Sequence, residues 1–449
     1  MSLPRYPDYK NAGADFGGVI PSNWTVKPLK HCLTLITGRA EEKTNSVGLE
    51  NIEGWTARYL PSESEFEGAG IAFRQGDILF GKLRPYLAKV YQAEFSGEAV
   101  GDFHVIRPTA NFVGRYGLYQ ILQDSFISRV DGATHGAKMP RVGWEYMGNM
   151  SFAAPSLSEQ SQIARFLDHE TAKIDVLIRE QERLIALLQE KRQAVISHAV
   201  TKGLDPNVPM KDSGVEWLGE VPEHWRVGAL KRALEVVADV DHYMPSSVPE
   251  GVPYVMTGDL QSLASEIEFD SCKQVAREDF LRLTRKVRAS KGDVIMARYA
   301  TIGTVSYVDI DAEFVVSYSC VTIRSQAEMA TGRYLFFYFQ SDAFIQGMSN
   351  MINANTQGNV GIGDLKEVQI ALPDIHEQEA IVDELEVELT YLDGLVDEVK
   401  SSVGLMKERR SALISAAVTG KIDVREWQPP ADDSAFDEEI RQAGMEVAV

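Results

Sequence analysis

The residues of this chain best suited to chemistry are cations, amides and glycines on candidate loops. Gly81-Lys82-Leu83-Arg84-Pro85-Tyr86-Leu87-Ala88-Lys89 puts three cations and an aromatic ring in nine residues, just after the strand-like Asp77–Phe80. Pro85 disfavours helix for Arg84, so a loop is expected. Lys and Arg on a loop suit phosphate contacts, and Arg is the commonest reader of guanine in the major groove. Lys82, Arg84, Tyr86 and Lys89 are therefore candidate DNA contacts. The alternative is a solvated turn between two strands.

Further along, Gly292-Asp293 repeats Gly76-Asp77 and is followed by Arg298, Tyr299 and Thr301 rather than by the first loop's residues. One scaffold position then carries two different loops, as two-part sequence recognition would need; drift after duplication is the alternative. A second pair of polar, glycine-bearing segments precedes each of two long helical patterns. The first holds Thr134, His135, Lys138 and Arg141, and the second Asn355, Thr356, Gln357 and Asn359. Asn and Gln can bind adenine bidentately, and an Asx-type turn explains them equally well.

Enzymatic patterns are absent. There is no GxxxxGK[ST] loop, GxSxG elbow or HExxH pair. No [DNS]PP[YF] tetrapeptide of amino-methyltransferases occurs, and Gln428-Pro429-Pro430-Ala431 does not fit it. The eight histidines have no ligand spacing, and Cys32, Cys272 and Cys320 form no CxxC. No catalytic residue and no metal site are expected. A polar start without a signal peptide, no spanning apolar run and few cysteines fit a reducing cytoplasm.

The elements that must position these loops are duplicated. Leu157–Asp205 aligns without a gap to Ile375–Asp423 at an offset of 218. Glu159-Gln160 returns as Glu377-Gln378, and Ala199-Val200-Thr201 as Ala417-Val418-Thr419. An earlier landmark, Pro21 to Trp24, returns as Pro222 to Trp225 at an offset of 201, so the second copy carries about 17 extra residues in its middle. Such repeats decide architecture before local motifs do.

The repeated segment is helical by periodicity. Heptad positions Leu167, Ile174, Gln181, Leu188 and Val195 are matched by Leu385, Leu392, Val399, Met406 and Leu413. Leu177, Ile178, Leu184 and Ile185 widen the first stripe. A stripe of about five heptads predicts a long helix with a helical partner. Ser158 is the expected N-cap and Gly203 and Gly420 the stops. Gln181 interrupts the stripe and can fix register. Pairing of one copy with the other is the simplest solution; pairing with another chain is the alternative.

The regions between read as mixed α/β with short strands, such as Val100–Ile106 and Phe314–Ile323. The expected organisation is 1–156, helix 157–205, 206–373, helix 374–424, and an acidic Pro-containing tail 425–449, partly disordered or a docking segment. The net charge of −20 would disfavour nucleic acid if it were uniform, but residues 374–449 carry −12 of it and residues 1–156 carry none. Local basic surface remains available.

The Pro-x-x-Trp openings, the Pro-x-x-x-Glu-Gln helix entries (Pro155–Gln160, Pro373–Gln378) and the helix exits together resemble the specificity subunits of type I restriction-modification systems, over roughly residues 5–424. The resemblance implies two target-recognition domains of mixed α/β fold held by two helices packed as an antiparallel coiled coil. Each domain would read one half of a bipartite double-stranded DNA site. Two modification subunits would carry adenine methyltransferase chemistry with S-adenosylmethionine, and two restriction subunits, where present, would use ATP and Mg. The chain itself would be non-catalytic, bind no cofactor and touch no membrane. A coiled-coil adaptor without DNA specificity is the competing reading, mildly favoured by the acidic total.

Overall fold

The computed structural model describes residues 4–13, 16–41, 44–61, 68, 70–136, 138–299, 302–351 and 360–430. Three of its helices are α1 (Leu157–Lys202), α2 (Arg277–Leu283) and α3 (Ile375–Val418). The chain divides into two units: residues 1–183 with 400–449, and residues 184–399. Each holds a mixed α/β domain plus half of the α1–α3 pair.

The two domains are built alike. In the first, strands β1 (Leu33–Ile36), β2 (Ile78–Gly81), β3 (Val90–Gln92) and β4 (Phe103–Pro108) form one sheet in the order β1-β4-β2-β3, all neighbours antiparallel. In the second, β5 (Leu234–Ala238), β6 (Val294–Ala297), β7 (Val305–Tyr307) and β8 (Cys320–Ser325) repeat it as β5-β8-β6-β7. The central strands are buried on both faces, hence the apolar runs Ile78-Leu79-Phe80 and Val294-Ile295-Met296. A buried carboxylate starts each: Asp77 takes two bonds of 2.7 Å from Arg107, and Asp293 takes 2.8 and 2.7 Å from Arg324. Strand limits differ from expectation where turns intervene. Phe314–Ile323 is broken at Ser317–Ser319 between Val315–Val316 and β8, and β4 begins at Phe103 because Gly101 adopts φ 86°.

The recurring sequence landmarks dock each domain onto a helix entry. Trp24 is fully buried and donates its indole N–H to Glu159 Oε1 at 2.9 Å; Trp225 does the same to Glu377 at 3.0 Å. Gln160 accepts from Val113 N and donates to Pro155 O, and Gln378 accepts from Thr331 N and donates to Pro373 O. Burying a large side chain is worth about 1.5–3 kcal/mol, and the bond spares the indole an unpaired donor. Helix α1 starts one residue before the expected cap: Ser156 Oγ accepts from Glu159 N at 3.3 Å, so Ser156 caps and Ser158 does not.

The helices pair antiparallel. In the first unit Asp175 meets Arg410 and Glu182 meets Lys407, so rising numbers in α1 run against falling numbers in α3. Ile174, Ile178 and Val403 pack together there, with Met406 and Leu413 alongside. In the second unit Leu188 and Val195 pack with Leu385, Leu389 and Leu392. Leu167, Ile174, Leu385 and Leu392 are buried, while Gln181, Leu188, Val195, Val399, Met406 and Leu413 are half-buried. The stripe is narrower than expected: Leu177 is 47% and Leu184 39% exposed, because a two-helix seam covers less than a half-turn of surface.

The far end of each helix closes the other copy's domain. Tyr116 OH donates to Val418 O of α3, and Tyr334 OH donates to Val200 O of α1. Gly203 and Gly420 end the helices with φ of 77° and 72°. Within the expected tail, residues 425–430 are ordered: Trp427 packs edge-on to Phe166 at 5.2 Å, and Gln162 donates to Trp427 O. The remainder of the tail lies outside the described residues. Among the described residues no helix is long and apolar enough to cross a membrane.

Candidate nucleic-acid interface

The first loop leaves β2 into a strained turn. Lys82 N donates to Asp102 O at 2.8 Å, and Arg84 N donates to Pro140 O at 2.9 Å. Pro85 then opens a single 3-10 turn, Pro85–Leu87, flanked by Arg84 (φ 49°, ψ 63°) and Ala88 (φ 45°, ψ 44°) in the left-handed region. Non-glycine residues there cost about 1–2 kcal/mol each. Pro85 is buried while Arg84 and Tyr86 are exposed, Tyr86 at 48%. The turn thus presents a cation and an aromatic edge outward. Trp55, also left-handed at φ 68°, supports it by donating its N–H to Ala88 O at 3.0 Å.

The second segment of the first domain comes to the same place. His135 and Arg141 exchange backbone bonds of 3.0 and 3.1 Å, and Val142 N donates to Lys82 O at 3.1 Å. Arg141 forks onto Asp102 at 2.8 and 2.7 Å, and Lys82 Nζ lies 3.9 Å from the same carboxylate. The Arg141 hydrogen bonds, assisted by the Lys82 charge, hold Asp102 below the usual carboxylate range despite partial burial. Lys82, Arg84, Tyr86, His135, Lys138 and Arg141 are therefore assembled from two loops. Lys89 and Thr134 are turned to structural work: Lys89 Nζ donates to Leu49 O at 2.7 Å, and Thr134 Oγ1 to Asp131 O at 2.8 Å. Behind the loops, buried His104 donates Nε2–H to Val142 O at 3.1 Å, and burial lowers its pKa.

The second domain repeats the backbone setting with a different side chain. Arg298 N donates to Ser319 O, and Val360 N donates to Arg298 O at 2.9 Å, as the amides around Lys82 do. Its guanidinium, however, turns inward onto Asp239 Oδ2 at 2.5 Å and Val360 O at 3.2 Å, leaving the residue 9% exposed. Tyr299 stays 49% exposed. Thr301, Asn355, Thr356, Gln357 and Asn359 lie outside the described residues. Sequence reading missed Asp102 and Asp239, whose role is to hold cations of distant loops. Among the described residues no group of three His, Cys, Asp or Glu side chains could hold a metal ion.

Each unit thus holds a loop-bearing domain beside its half of the α1–α3 pair, with cations and aromatic rings at the loops. Residues 243–390 match the family described as the type I restriction modification DNA specificity domain. The chain is 23% identical over 355 residues to the MjaVIII specificity subunit of Methanocaldococcus jannaschii, covering 78% of this chain and 77% of the other. To the putative MjaX specificity subunit of the same organism it is 23% identical over 440 residues, 91% and 96% of the two chains. To the EcoBI specificity subunit of Escherichia coli it is 20% identical over 329 residues, 72% and 68%. A chain solved in work on complex assembly and conformational transition of the type I R-M system shares the fold, with TM-score 0.64 at 18% identity over 90% of this chain and 99% of that one. Residues 243–390 thus match a type I restriction modification DNA specificity domain, and over most of its length the chain is similar to specificity subunits of type I restriction-modification systems.

Proposed function

We propose that this chain reads a bipartite duplex DNA target, one half through residues 1–156 and the other through residues 206–373, and carries the reading to catalytic partners. The observation that carries the proposal is the convergence of Lys82, Arg84, Tyr86, His135 and Arg141 on two loops joined by Arg84 N–Pro140 O and Asp102. Exposed cations of this kind suit phosphates and guanine edges. Tyr299 and the polar segment of Asn355, Thr356, Gln357 and Asn359 are the proposed counterparts in the second domain. The helices of 157–205 and 374–424 are the proposed frame, against which two modification methyltransferase subunits dock in the cytoplasm. S-adenosylmethionine belongs to those partners, and ATP and Mg to restriction subunits where present.

The test is duplex binding by the complex assembled with methyltransferase subunits, using a target identified by mapping methylated adenines with and without this gene. Salt-dependent preference for one bipartite duplex is expected. No preference among duplexes would favour an adaptor without DNA specificity. The purified chain alone is expected to transfer no methyl group to DNA.

A further inference from the structure

The second domain contains a helix, α2, for which the described residues of the first have no counterpart. It falls among the extra residues of the second copy. Residues 277–291 hold six cations against two carboxylates, in a chain of net charge −20. Phe280 and Leu283, each 1% exposed, seat α2 against Tyr254, Val275 and Val287. That seating leaves Arg277, Arg282, Arg285, Lys286, Arg288 and Lys291 all exposed.

Several of these cations are held in place. The Arg282 guanidinium stacks 4.4 Å from the Tyr243 ring centroid. Arg277 and Arg288 flank the Phe280 ring at 4.7 and 5.4 Å and share Glu313. Lys286 Nζ lies 2.8 Å from Asp239, the carboxylate that also takes Arg298 and lies 3.4 Å from His242 Nε2. Burial pushes the Asp239 carboxyl up, but the hydrogen bonds of Lys286 and His242 and the charges of Lys286 and Arg298 more than offset it, so it stays ionised. A stacked guanidinium keeps its N–H edge free for bidentate phosphate contact. Arg298, placed as Lys82 is in the first domain, is turned inward, whereas the cations of 277–291 are exposed.

We propose that α2 and the loop to Lys291 form a clamp on the phosphate backbone of duplex DNA, holding the second domain on its half-site without reading sequence. The clamp rests on the DNA-recognition reading above. Phosphate contacts add affinity uniformly across sequences and make it salt-dependent.

The test uses the full chain assembled with its methyltransferase subunits, carrying Arg282→Ala, Arg285→Ala and Lys286→Ala together. Binding to the mapped target and to a scrambled duplex of equal length is measured across salt. The triple variant is expected to lose affinity for both duplexes by the same factor. Its plot of log affinity against log salt flattens by about 2–3, near 0.9 for each phosphate no longer neutralised. An Arg282→Lys, Arg285→Lys variant, which keeps the charge, is expected to retain the slope. Unchanged affinity and slope with target preference intact would overturn the clamp and leave the DNA reading standing. Altered preference at either half-site would overturn its sequence independence. A wild-type complex without target preference would overturn the DNA reading itself.

Discussion

Arg410 of α3 grips the Asp175 carboxylate of α1 with two guanidinium nitrogens, at 2.7 and 3.2 Å, and its third donates to Trp55 O at 2.8 Å. The same pair recurs with the helices exchanged: Arg192 of α1 reaches Asp393 of α3 at 3.1 Å. Both residues of the second pair are the first pair's partners displaced by 218 positions. The duplication therefore appears as a swap, each copy's arginine serving the other copy's aspartate.

The two pairs differ in burial, and that difference predicts their energies. Arg410 is 9% and Asp175 19% exposed at the side chain, against 31% and 56% for Arg192 and Asp393. Removing one partner of a buried pair strands the other, at about 3–5 kcal/mol, while an exposed pair contributes about 0–1 kcal/mol. Arg410→Ala is expected to lower the denaturation midpoint of the full chain clearly, and Arg192→Ala hardly at all. Equal losses would refute the distinction.

The helix-ending glycines give a second contrast. Both have positive φ, but a Cβ on Gly420 would lie 2.4 Å from Pro21 side-chain atoms, whereas on Gly203 its nearest neighbour is Trp225 at 3.4 Å. Gly203→Ala should cost only the left-handed strain, about 1–2 kcal/mol. Gly420→Ala should cost more, since the Pro21–Trp24 docking must also shift. Thermal melts of both variants decide it; a milder effect at Gly420 would contradict the packing argument.

Replacing Arg84 by Ala should weaken binding of the assembled complex by about 1–3 kcal/mol if the side chain reads a base. The loss should appear on duplexes bearing the first domain's half-site and leave the second half-site preference intact. Unchanged affinity for both would remove Arg84 from the interface. Lys89→Ala, by contrast, should act through stability, because its ammonium is bound to Leu49 O.

Asp102 makes the first domain's loops sensitive to acid. Arg141 and Lys82 hold its carboxyl below the usual range in the folded state. A depressed folded pKa stabilises above the unfolded value of about 3.9 and is lost as pH falls through the folded pKa. The stability difference between wild type and Asp102→Asn should thus be present at neutral pH and shrink below about pH 4. In Arg141→Ala the carboxyl should titrate higher by NMR. A difference that persisted undiminished into acid would exclude this linkage.

The frame was legible in the sequence because periodicity and repetition encode it. Leu167 through Leu413 mark a helical seam, and Trp24, Gln160 and their copies mark its docking points. The loops were legible only as composition. Nothing local to Arg298 announces that it turns inward, because Asp239 lies far away in sequence. Nor does the apolar stripe reveal that Leu177 and Leu184 stay exposed, since seam width is set by the partner. The cations of 277–291 stand in plain view, but a net charge of −20 sums them away against carboxylates elsewhere in the chain.

The bond from Tyr116 to Val418 has a consequence for the order in which the protein takes shape. The second unit draws its core from one continuous stretch of chain, whereas the first needs Ile414, Ala417, Val418 and Val424 from its far end. At synthesis rates of about 5–20 residues per second, roughly 10–50 s separate the emergence of residue 183 from that of Ile414. The domain translated first is thus the last to close, and until Ile414 to Val424 emerge it waits with an apolar face uncovered beside the ribosome.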